Sequence, residues 1–307
     1  MEELKFQDMF TTAKGEKRAS VYLNSLETLW FNTGTLCNLE CKNCYIESSP
    51  RNDRLSFLNV ADIRPYLDEI KNDNLGTKLI GLTGGEPFLN PSIIPIIETI
   101  LSFGLEVLIL TNANRVLKKH QQSLLTIKEK HGDKLHLRIS LDHFTSELHD
   151  KERGKGSFKR TLNQLKWLNE NDFNISIASR SLIEETPKES IEGHKKLLNR
   201  NGIDLNLKDK LVIFPEMQSG RDVPEITTAC WDILNIDPND QMCASERMIV
   251  KRKGEHTPVV MPCTLIAYDE KFNLGSTLKN AKKEVHLNHR FCAEFCVLGG
   301  ASCSGTK

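Results

Sequence analysis

Three cysteines near the amino terminus have a spacing that suits metal chemistry. Cys37, Cys41 and Cys44 follow the pattern C-x3-C-x2-C. Three thiolates are one ligand short of the four that complete a tetrahedral zinc site or a fully ligated iron-sulfur cube. On a [4Fe-4S] cluster, three protein ligands leave the fourth iron free to bind a molecule that is not protein, which a cluster used for chemistry requires. The alternative is a zinc site that a distant residue completes.

Six further cysteines form a second group, and all of them follow position 229. They are Cys230, Cys243, Cys263, Cys292, Cys296 and Cys303. A random scatter of buried thiols would rarely leave so long a gap after Cys44, so the sequence indicates two separate sites. Cys230, beside Trp231, is expected to be an ordinary buried thiol. The other five are candidate metal ligands, either for a cluster or for a structural zinc knot.

A glycine-rich turn offers a second kind of chemistry. Residues 78–82 are predicted to form a strand, which Thr83-Gly84-Gly85-Glu86-Pro87 ends sharply. Such a turn exposes backbone groups and a carboxylate, which could hold a small ligand by its amino group. Taken alone, the motif is an ordinary turn. Together with the cysteine triplet upstream it is specific.

These motifs need a scaffold, and the chain between them alternates strand and helix patterns. Strands are predicted near residues 28–33, 77–83, 105–111, 134–141, 174–180 and 209–215. Helices are predicted near residues 57–74, 91–103, 114–130, 157–171 and 187–201. This alternation is typical of an α/β fold with a parallel sheet and helical crossovers.

The later strands carry further candidate residues. In the fourth strand, Leu135, Leu137 and Ile139 alternate with polar residues, which predicts one apolar face and one face that lines a pocket. Arg180 ends the fifth strand and is expected to clamp a carboxylate of a cofactor or substrate, the alternative being an ion pair at the rim. Glu216 is a weaker candidate in segment 214–221, after the sixth strand.

The cysteine triplet and the glycine turn together resemble those of the radical S-adenosylmethionine (radical SAM) enzymes. The resemblance implies a partial (β/α)6 TIM-like barrel with active-site groups at the carboxyl ends of its strands. It also implies that the triplet holds a [4Fe-4S] cluster whose open iron chelates the methionine moiety of S-adenosylmethionine. The implied cofactor contacts are Tyr45 near the adenine, Gly84, Gly85 and Glu86 at the methionine amino group, and Ser140 and Asp142 at the ribose or methionine carboxylate. For the Ser-x-Asp pair, helix capping is the alternative.

The resemblance also implies an activity. The reduced cluster would cleave S-adenosylmethionine to a 5′-deoxyadenosyl radical, which would abstract hydrogen from a peptide or small-metabolite substrate. The electron would come from an external donor such as flavodoxin or ferredoxin. The competing interpretation is a non-catalytic iron-sulfur electron carrier or redox sensor. Such a protein would not need the glycine turn and should not bind S-adenosylmethionine.

The second cysteine group is similar to the SPASM and Twitch extensions of radical SAM enzymes, which bind auxiliary iron-sulfur clusters. Residues 248–251 and 258–261 are predicted to form a hairpin that two of the cysteines flank. The last three cysteines have the spacing C-x3-C-x6-C, which departs from the full SPASM pattern. One auxiliary [4Fe-4S] cluster is therefore expected, with at most four ligands among Cys243, Cys263, Cys292, Cys296 and Cys303.

Length and composition indicate the domain organisation, the partners and the location of the protein. The 307 residues are expected to divide into an N-terminal extension (1–25), a radical SAM core barrel (26–222) and a small cysteine-rich iron-sulfur module (223–307). With 41 basic and 41 acidic side chains the net charge is zero, which argues against nucleic acid or a membrane as partner. The amino terminus lacks the apolar core of a signal peptide, so a cytoplasmic location is expected. Cysteines there are better candidates for metal ligands than for disulfides.

Overall fold

The computed structural model describes residues 5–181, 185–217 and 221–305, so Gln218, Ser219 and Gly220 of the segment after the sixth predicted strand lie outside the described residues. The strands are β1 (Ser20–Val21), β2 (Thr28–Asn32), β3 (Leu79–Thr83), β4 (Glu106–Thr111), β5 (Leu135–Ser140), β6 (Asn174–Arg180), β7 (Leu211–Phe214), β8 (Glu246–Val250), β9 (Val259–Met261) and β10 (Val285–His286). The α-helices are α1 (Val60–Asn72), α2 (Ile93–Ser102), α3 (Gln121–His131), α4 (Ser146–Arg153), α5 (Ser157–Glu170), α6 (Pro187–Arg200), α7 (Leu207–Lys210) and α8 (Cys230–Leu234).

Strands β2 to β7 form the partial barrel. Each pairs in parallel with the next one in the chain, and all six overlap the predicted strands. The carboxyl ends of parallel strands therefore meet at one rim, where the cysteine loop and the glycine turn both begin. The α/β fold class and the partial TIM-like barrel are confirmed.

An apolar core between the sheet and its helices holds the strands in place. Leu135, Leu137 and Ile139 of β5 lie in this core, which confirms the predicted apolar face of that strand. Helix α1 shows why the helices form. It begins at a capping box of Asn59 and Asp62 and buries one apolar side against the sheet.

The observed helices differ from the predicted ones in two ways. The helix predicted near 114–130 starts later, as a 3-10 turn at Leu117–His120 that leads into α3. The reason is local, because Ala113 has a φ of +48° and the side chain of Asn112 accepts a hydrogen bond from the amide of Asn114. Helices α4, α7 and α8 lie where no helix was predicted.

The carboxyl-terminal segment is built onto the barrel. β8 and β9 form the predicted antiparallel hairpin, and β8 also pairs in parallel with β2, so the sheet continues beyond the barrel in the order β7-β6-β5-β4-β3-β2-β8-β9. β1, within the first 25 residues, pairs in antiparallel with β10. A second apolar core joins these flanking segments to the barrel. Across the described ranges, no helix has both the length and the apolar character needed to cross a membrane.

Candidate functional site

The cysteine loop and the glycine turn are joined through their backbones. The amide of Gly85 donates to the carbonyl oxygen of Gly34 at 2.8 Å. The next amide, of Glu86, donates to the carbonyl oxygen of Leu36 at 3.1 Å. Glycine is required at position 85, because a Cβ there would lie 2.1 Å from the oxygen of Leu36. Gly84 has a φ of +132°, which residues with side chains rarely adopt.

The three thiols of the triplet line one cavity of about 170 Å³ at the carboxyl rim of the barrel. Most predicted cofactor contacts share this wall, namely Tyr45, Gly84, Gly85, Ser140, Asp142 and Arg180. In the part of the chain that the structure describes, no three His, Cys, Asp or Glu side chains converge on a position for a single metal ion. Thiols that surround a space beside polar groups fit an iron-sulfur cluster with an exchangeable ligand.

Amide groups point at two of these thiols. The amide of Leu39 and Nδ2 of Asn112 donate to Sγ of Cys37 at 3.4 and 3.7 Å. The amide of Ser48 donates to Sγ of Cys44 at 3.3 Å. Burial raises the pKa of Cys37 to about 12, so a metal must displace its proton. Donors aimed at sulfur stabilise thiolate charge, which makes Asn112 a member of the site that sequence analysis left without a role.

The carboxylate of Glu86 is fully buried and turned towards β4. It accepts hydrogen bonds from the hydroxyl of Thr111 at 2.8 Å and from the amides of Asn112 and Phe88 at 2.9 and 3.2 Å. Burial raises the pKa of Glu86 to about 7 even though these three donors oppose the rise. The side chain therefore fixes the glycine turn against β4. The backbone of Gly84 and Gly85 lines the thiol-lined cavity, whereas Glu86 is absent from its lining.

Helix α4 supplies two charged residues that sequence analysis missed. Arg153 donates two hydrogen bonds to the carboxylate of Asp142, at 2.6 and 2.9 Å. Burial opposes the ionised form of Asp142, but Arg153 and Arg180 outweigh it and lower its pKa. Glu152 accepts hydrogen bonds from the backbone and side-chain amides of Asn43, at 2.8 and 3.0 Å, inside the cysteine loop. One helix thus anchors both the loop and the cavity wall.

The position of Arg180 fits in part both interpretations from the sequence, the carboxylate clamp and the ion pair at the rim. Its guanidinium donates to the carbonyl oxygen of Asn43 at 2.6 Å and lies 3.7 Å from the carboxylates of Asp142 and Glu152. These are the ion pairs of the alternative interpretation. Arg180 also lines the cavity with the thiols, so the carboxylate clamp stays a prediction.

Tyr45 and Ser140 also lie on this wall. The hydroxyl of Tyr45 donates to the carbonyl oxygen of Pro215 at 2.9 Å, and the guanidinium carbon of Arg180 lies 4.7 Å from the centre of its ring. The aromatic ring is therefore held in place from two sides. Ser140 is half-buried at the end of β5. The capping alternative for the Ser-x-Asp pair is not realised, because the N-cap of α4 is Thr145.

A larger cavity of about 730 Å³ adjoins the first and shares Asp142 and Arg180 with it. Glu216, the weaker candidate, lines this larger cavity and not the thiol-lined one. The other lining residues are mostly charged: Lys42, Asn43, His143, Phe144, Leu148, Lys151, Glu152, Glu185 and Glu189.

Four cysteines of the second group line one small cavity of about 20 Å³: Cys243, Cys263, Cys292 and Cys296. The hairpin brings the first two together, since Cys243 precedes β8 and Cys263 follows β9. The other two lie in a π-helix, Cys292–Val297. The remaining lining is mostly apolar: Gln241, Met242, Pro262, Leu265, Ile266, Val285, Leu287 and Phe291. Burial raises the pKa of Cys243 to about 12 and that of Cys263 to about 11.

The other two cysteines do not line this small cavity, although burial raises the pKa of Cys303 and Cys263 lies close enough for a charge on its thiol to raise that pKa further. Cys303 lines the 170 Å³ cavity together with the triplet, and its Sγ accepts a hydrogen bond from the hydroxyl of Thr264 at 3.1 Å. Cys230 is half-buried, and its Sγ accepts a hydrogen bond from the amide of Thr227 at 3.4 Å. Neither cysteine belongs to the lining of the four-thiol cavity.

Sequence comparison points to one family. Residues 31–198 match the family model of the Radical SAM superfamily. A stretch of 143 residues, 46% of this chain, is 33% identical to the antilisterial bacteriocin subtilosin biosynthesis protein AlbA of Bacillus subtilis (strain 168) and covers 30% of it. A stretch of 155 residues, 49% of this chain, is 28% identical to the AdoMet-dependent heme synthase of Methanosarcina barkeri (strain Fusaro / DSM 804) and covers 42% of it. The matches thus span less than half of either relative.

Solved structures share the fold over most of the chain. Streptococcus suis SuiB bound to precursor peptide SuiA aligns with a TM-score of 0.62 over 85% of this chain and 66% of that chain, at 16% identity. The histidine-tagged protein anSMEcpe with bound AdoMet aligns with a TM-score of 0.58 over 86% of this chain and 82% of that chain, at 14% identity. At such low identities the likeness concerns the fold.

Proposed function

The chain belongs to the radical SAM superfamily, and from this premise we propose that it is a radical SAM enzyme that modifies a peptide. Bound S-adenosylmethionine and a reduced [4Fe-4S] cluster supply a 5′-deoxyadenosyl radical that removes hydrogen from the substrate. The observation that carries the proposal is the shared cavity. Three thiols, the glycine turn and a buried Arg-Asp pair line one space at the carboxyl rim of the barrel.

In this proposal Cys37, Cys41 and Cys44 would hold the cluster, and three thiolates would leave one iron without a protein ligand. The backbone of Gly84 and Gly85 faces the methionine amino group, while the side chain of Glu86 keeps the turn in place. This division of roles follows from the hydrogen bonds of the Glu86 carboxylate, which β4 and the following residues occupy.

The charged wall would orient the rest of the cofactor. Asp142 is held by two hydrogen bonds from Arg153, so it can accept from a ribose hydroxyl without moving. Arg180 is the proposed carboxylate clamp, since it lies on the same wall. Tyr45 is proposed to face the adenine, and Ser140 to contact the ribose or the methionine carboxylate.

The second cysteine group is proposed to hold one auxiliary [4Fe-4S] cluster in the module formed by residues 223–307. Its ligands would be the four thiols that share the apolar cavity, because four thiolates complete a cluster. A fully ligated cluster can relay an electron or hold the module together. The N-terminal extension (1–25) and the core barrel (26–222) complete the proposed division of the chain.

A peptide is the proposed substrate for two reasons. The 730 Å³ cavity next to the thiol-lined one leaves room for a molecule larger than the cofactor's reactive end. One relative is described as a bacteriocin biosynthesis protein, and one solved structure with this fold is described as bound to a precursor peptide. A small metabolite is the second candidate. The electron donor would be external, such as flavodoxin or ferredoxin, and the proposed location is the cytoplasm.

An anaerobic assay tests the proposal. The protein is reconstituted with iron and sulfide, iron is counted, and 5′-deoxyadenosine is measured by mass spectrometry after dithionite and S-adenosylmethionine are added. We expect about eight irons per chain and 5′-deoxyadenosine. Electron paramagnetic resonance of the reduced protein gives a second readout, because S-adenosylmethionine should change the spectrum of the cluster that it binds. Bound iron with neither response would favour the electron carrier.

A further inference from the structure

The carboxyl-terminal tail carries a thiol that neither proposed cluster needs. Cys303 lines the cavity of the cysteine triplet, whereas four other thiols share the cavity of the second group. A fully ligated [4Fe-4S] cluster takes four protein ligands. The cavity that contains Cys303 is also the one in which the proposed radical would form.

Two buried charged residues of the sheet hold the tail in that cavity. Arg138 on β5 is 4% exposed and donates to the carbonyl oxygens of Cys303 and Ser304, at 2.6 and 3.3 Å. Glu246 on β8 is 2% exposed and accepts from the hydroxyls of Ser302 and Ser304, at 3.2 and 2.5 Å. Burying a charge is costly unless it is paired or hydrogen-bonded. Residues 302–304 supply most of the hydrogen-bond partners of these two charged groups, and Ser176 and Trp30 supply the others, so the sheet is built to receive this tail.

Two further contacts determine where the Cys303 thiol points. The backbone amide of Cys303 donates to Sδ of Met242 at 3.2 Å, and the Thr264 hydroxyl donates to its Sγ. Thr264 lines the triplet's cavity as well. The thiol is therefore fixed at the cavity wall, within a space that is only about 170 Å³ in volume.

We propose that Cys303 donates a hydrogen atom to a carbon-centred radical in this cavity, an inference that rests on the proposed function. In this step the S–H bond of Cys303 breaks and a C–H bond forms at the radical carbon. The sulfur is left as a thiyl radical. A one-electron donor, supplied as dithionite in the assay, reduces it to the thiolate, and a proton from water restores the thiol. A substrate that loses one hydrogen to the deoxyadenosyl radical and regains another from Cys303 keeps its composition.

The experiment uses reconstituted holoenzyme in D2O, with unlabelled S-adenosylmethionine, dithionite and no substrate. A thiol exchanges its hydrogen with solvent, so Cys303 would carry deuterium. With no substrate present, the 5′-deoxyadenosyl carbon is the radical that Cys303 can quench. We expect singly deuterated 5′-deoxyadenosine from the wild-type enzyme. Cys303→Ser should lose this label, because an alcohol O–H bond is too strong to give up its hydrogen to this radical.

Two controls make the result specific. Cys230→Ser, outside both cavities, should keep the label at the wild-type level. Cys303→Ala is a second variant, since alanine keeps the backbone contacts with Arg138. Both Cys303 variants should retain the wild-type iron content, which is a readout independent of turnover.

Several results would overturn the inference. An unchanged label in both Cys303 variants, or 5′-deoxyadenosine without deuterium from the wild type, would show that Cys303 does not reach the radical. A fall in iron to about half would make Cys303 a cluster ligand. A wild-type enzyme that forms no 5′-deoxyadenosine and shows no spectral response to S-adenosylmethionine would instead overturn the proposed function, and this inference with it.

Discussion

The two cysteine-lined cavities differ in the groups that surround the thiols. The three thiols of the first share their space with polar side chains such as Asn112, Asp142 and Arg153. The four thiols of the second lie among apolar side chains such as Ile266 and Leu287. Polar groups around an incomplete set of ligands allow another molecule to bind and be oriented. An apolar wall around a complete set of four thiols excludes water, and it leaves no ligand position open for another molecule.

The two sites are also held in different ways. The first lies on the rim of a parallel sheet and depends on the close approach of Gly85 to the cysteine loop. The second is assembled from the two ends of a hairpin and one π-helix, which come from three separate stretches of sequence. The comparison suggests that the first site is built for exchange of a ligand and the second for retention of a cluster. Four substitutions test this distinction.

Cys41→Ala should have the largest effect. It removes one of the three proposed ligands of the first cluster, so S-adenosylmethionine cleavage should be abolished. The measurement is 5′-deoxyadenosine formed by the reconstituted variant under dithionite. Full cleavage by this variant would refute the assignment of the first cavity.

Cys296→Ala should separate the two sites. Loss of one of the four proposed ligands should reduce the iron content from about eight to about four per chain. Cleavage of S-adenosylmethionine should continue, because the first cavity is intact. Iron analysis and the 5′-deoxyadenosine assay on the same preparation test both parts. An insoluble or unfolded variant would indicate that the second cluster is structural.

The barrel was predictable because its determinants are local. Periodicity alone located all six strands of the partial barrel, and the alternation in β5 predicted the buried apolar face of Leu135, Leu137 and Ile139. One feature of the sequence could have indicated helix α4. No helix or strand was predicted for residues 142–156, although loops beyond about 12–15 residues are uncommon in compact domains. That gap contains Glu152 and Arg153, which anchor the cysteine loop and Asp142.

The spacing of the second cysteine group did not predict which of its cysteines line the same cavity. Cys292, Cys296 and Cys303 are close in sequence, yet the last lies in another cavity. The cause is long-range, because Arg138 and Glu246 come from distant strands and bind the tail around Cys303. Spacing along the chain carries no information about such contacts.

Gly85→Ala should have an intermediate effect, because it tests the attachment of the first site to the barrel. The added Cβ would lie 2.1 Å from the carbonyl oxygen of Leu36, so the cysteine loop must shift. A displacement of this kind near reacting groups can lower turnover by roughly 10- to 100-fold. We expect such a loss in 5′-deoxyadenosine formation with the auxiliary iron retained. Gly76→Ala is the matched control, since position 76 has open space around it, and its left-handed φ should cost only about 1–2 kcal/mol of stability.

His149→Phe should have the smallest effect. It tests whether the protein interior behind the polar wall of the first cavity is apolar. His149 lies on α4, is 0% exposed, and neither ring nitrogen has a hydrogen-bond partner among the described residues. Burial, reinforced by Arg153, lowers its pKa from 6.5 to about 4. Below pH 6.5 the unfolded chain therefore binds a proton that the folded chain does not, so stability falls as the pH drops.

For this one group the loss between pH 7 and pH 5 is about 2 kcal/mol. Phenylalanine cannot titrate and keeps an aromatic ring against Phe158, whose centre lies 5.6 Å from that of His149. Urea unfolding of the metal-free protein should therefore show a shallower decline towards pH 5 in the variant, with stability at pH 7 unchanged or higher. His256→Gln, at an exposed position in the β8–β9 loop, should reproduce the wild-type decline. Equal slopes for His149→Phe and the wild type would mean that His149 binds its proton over the same pH range in the folded and unfolded protein, which would require an acidic or hydrated environment behind Asp142.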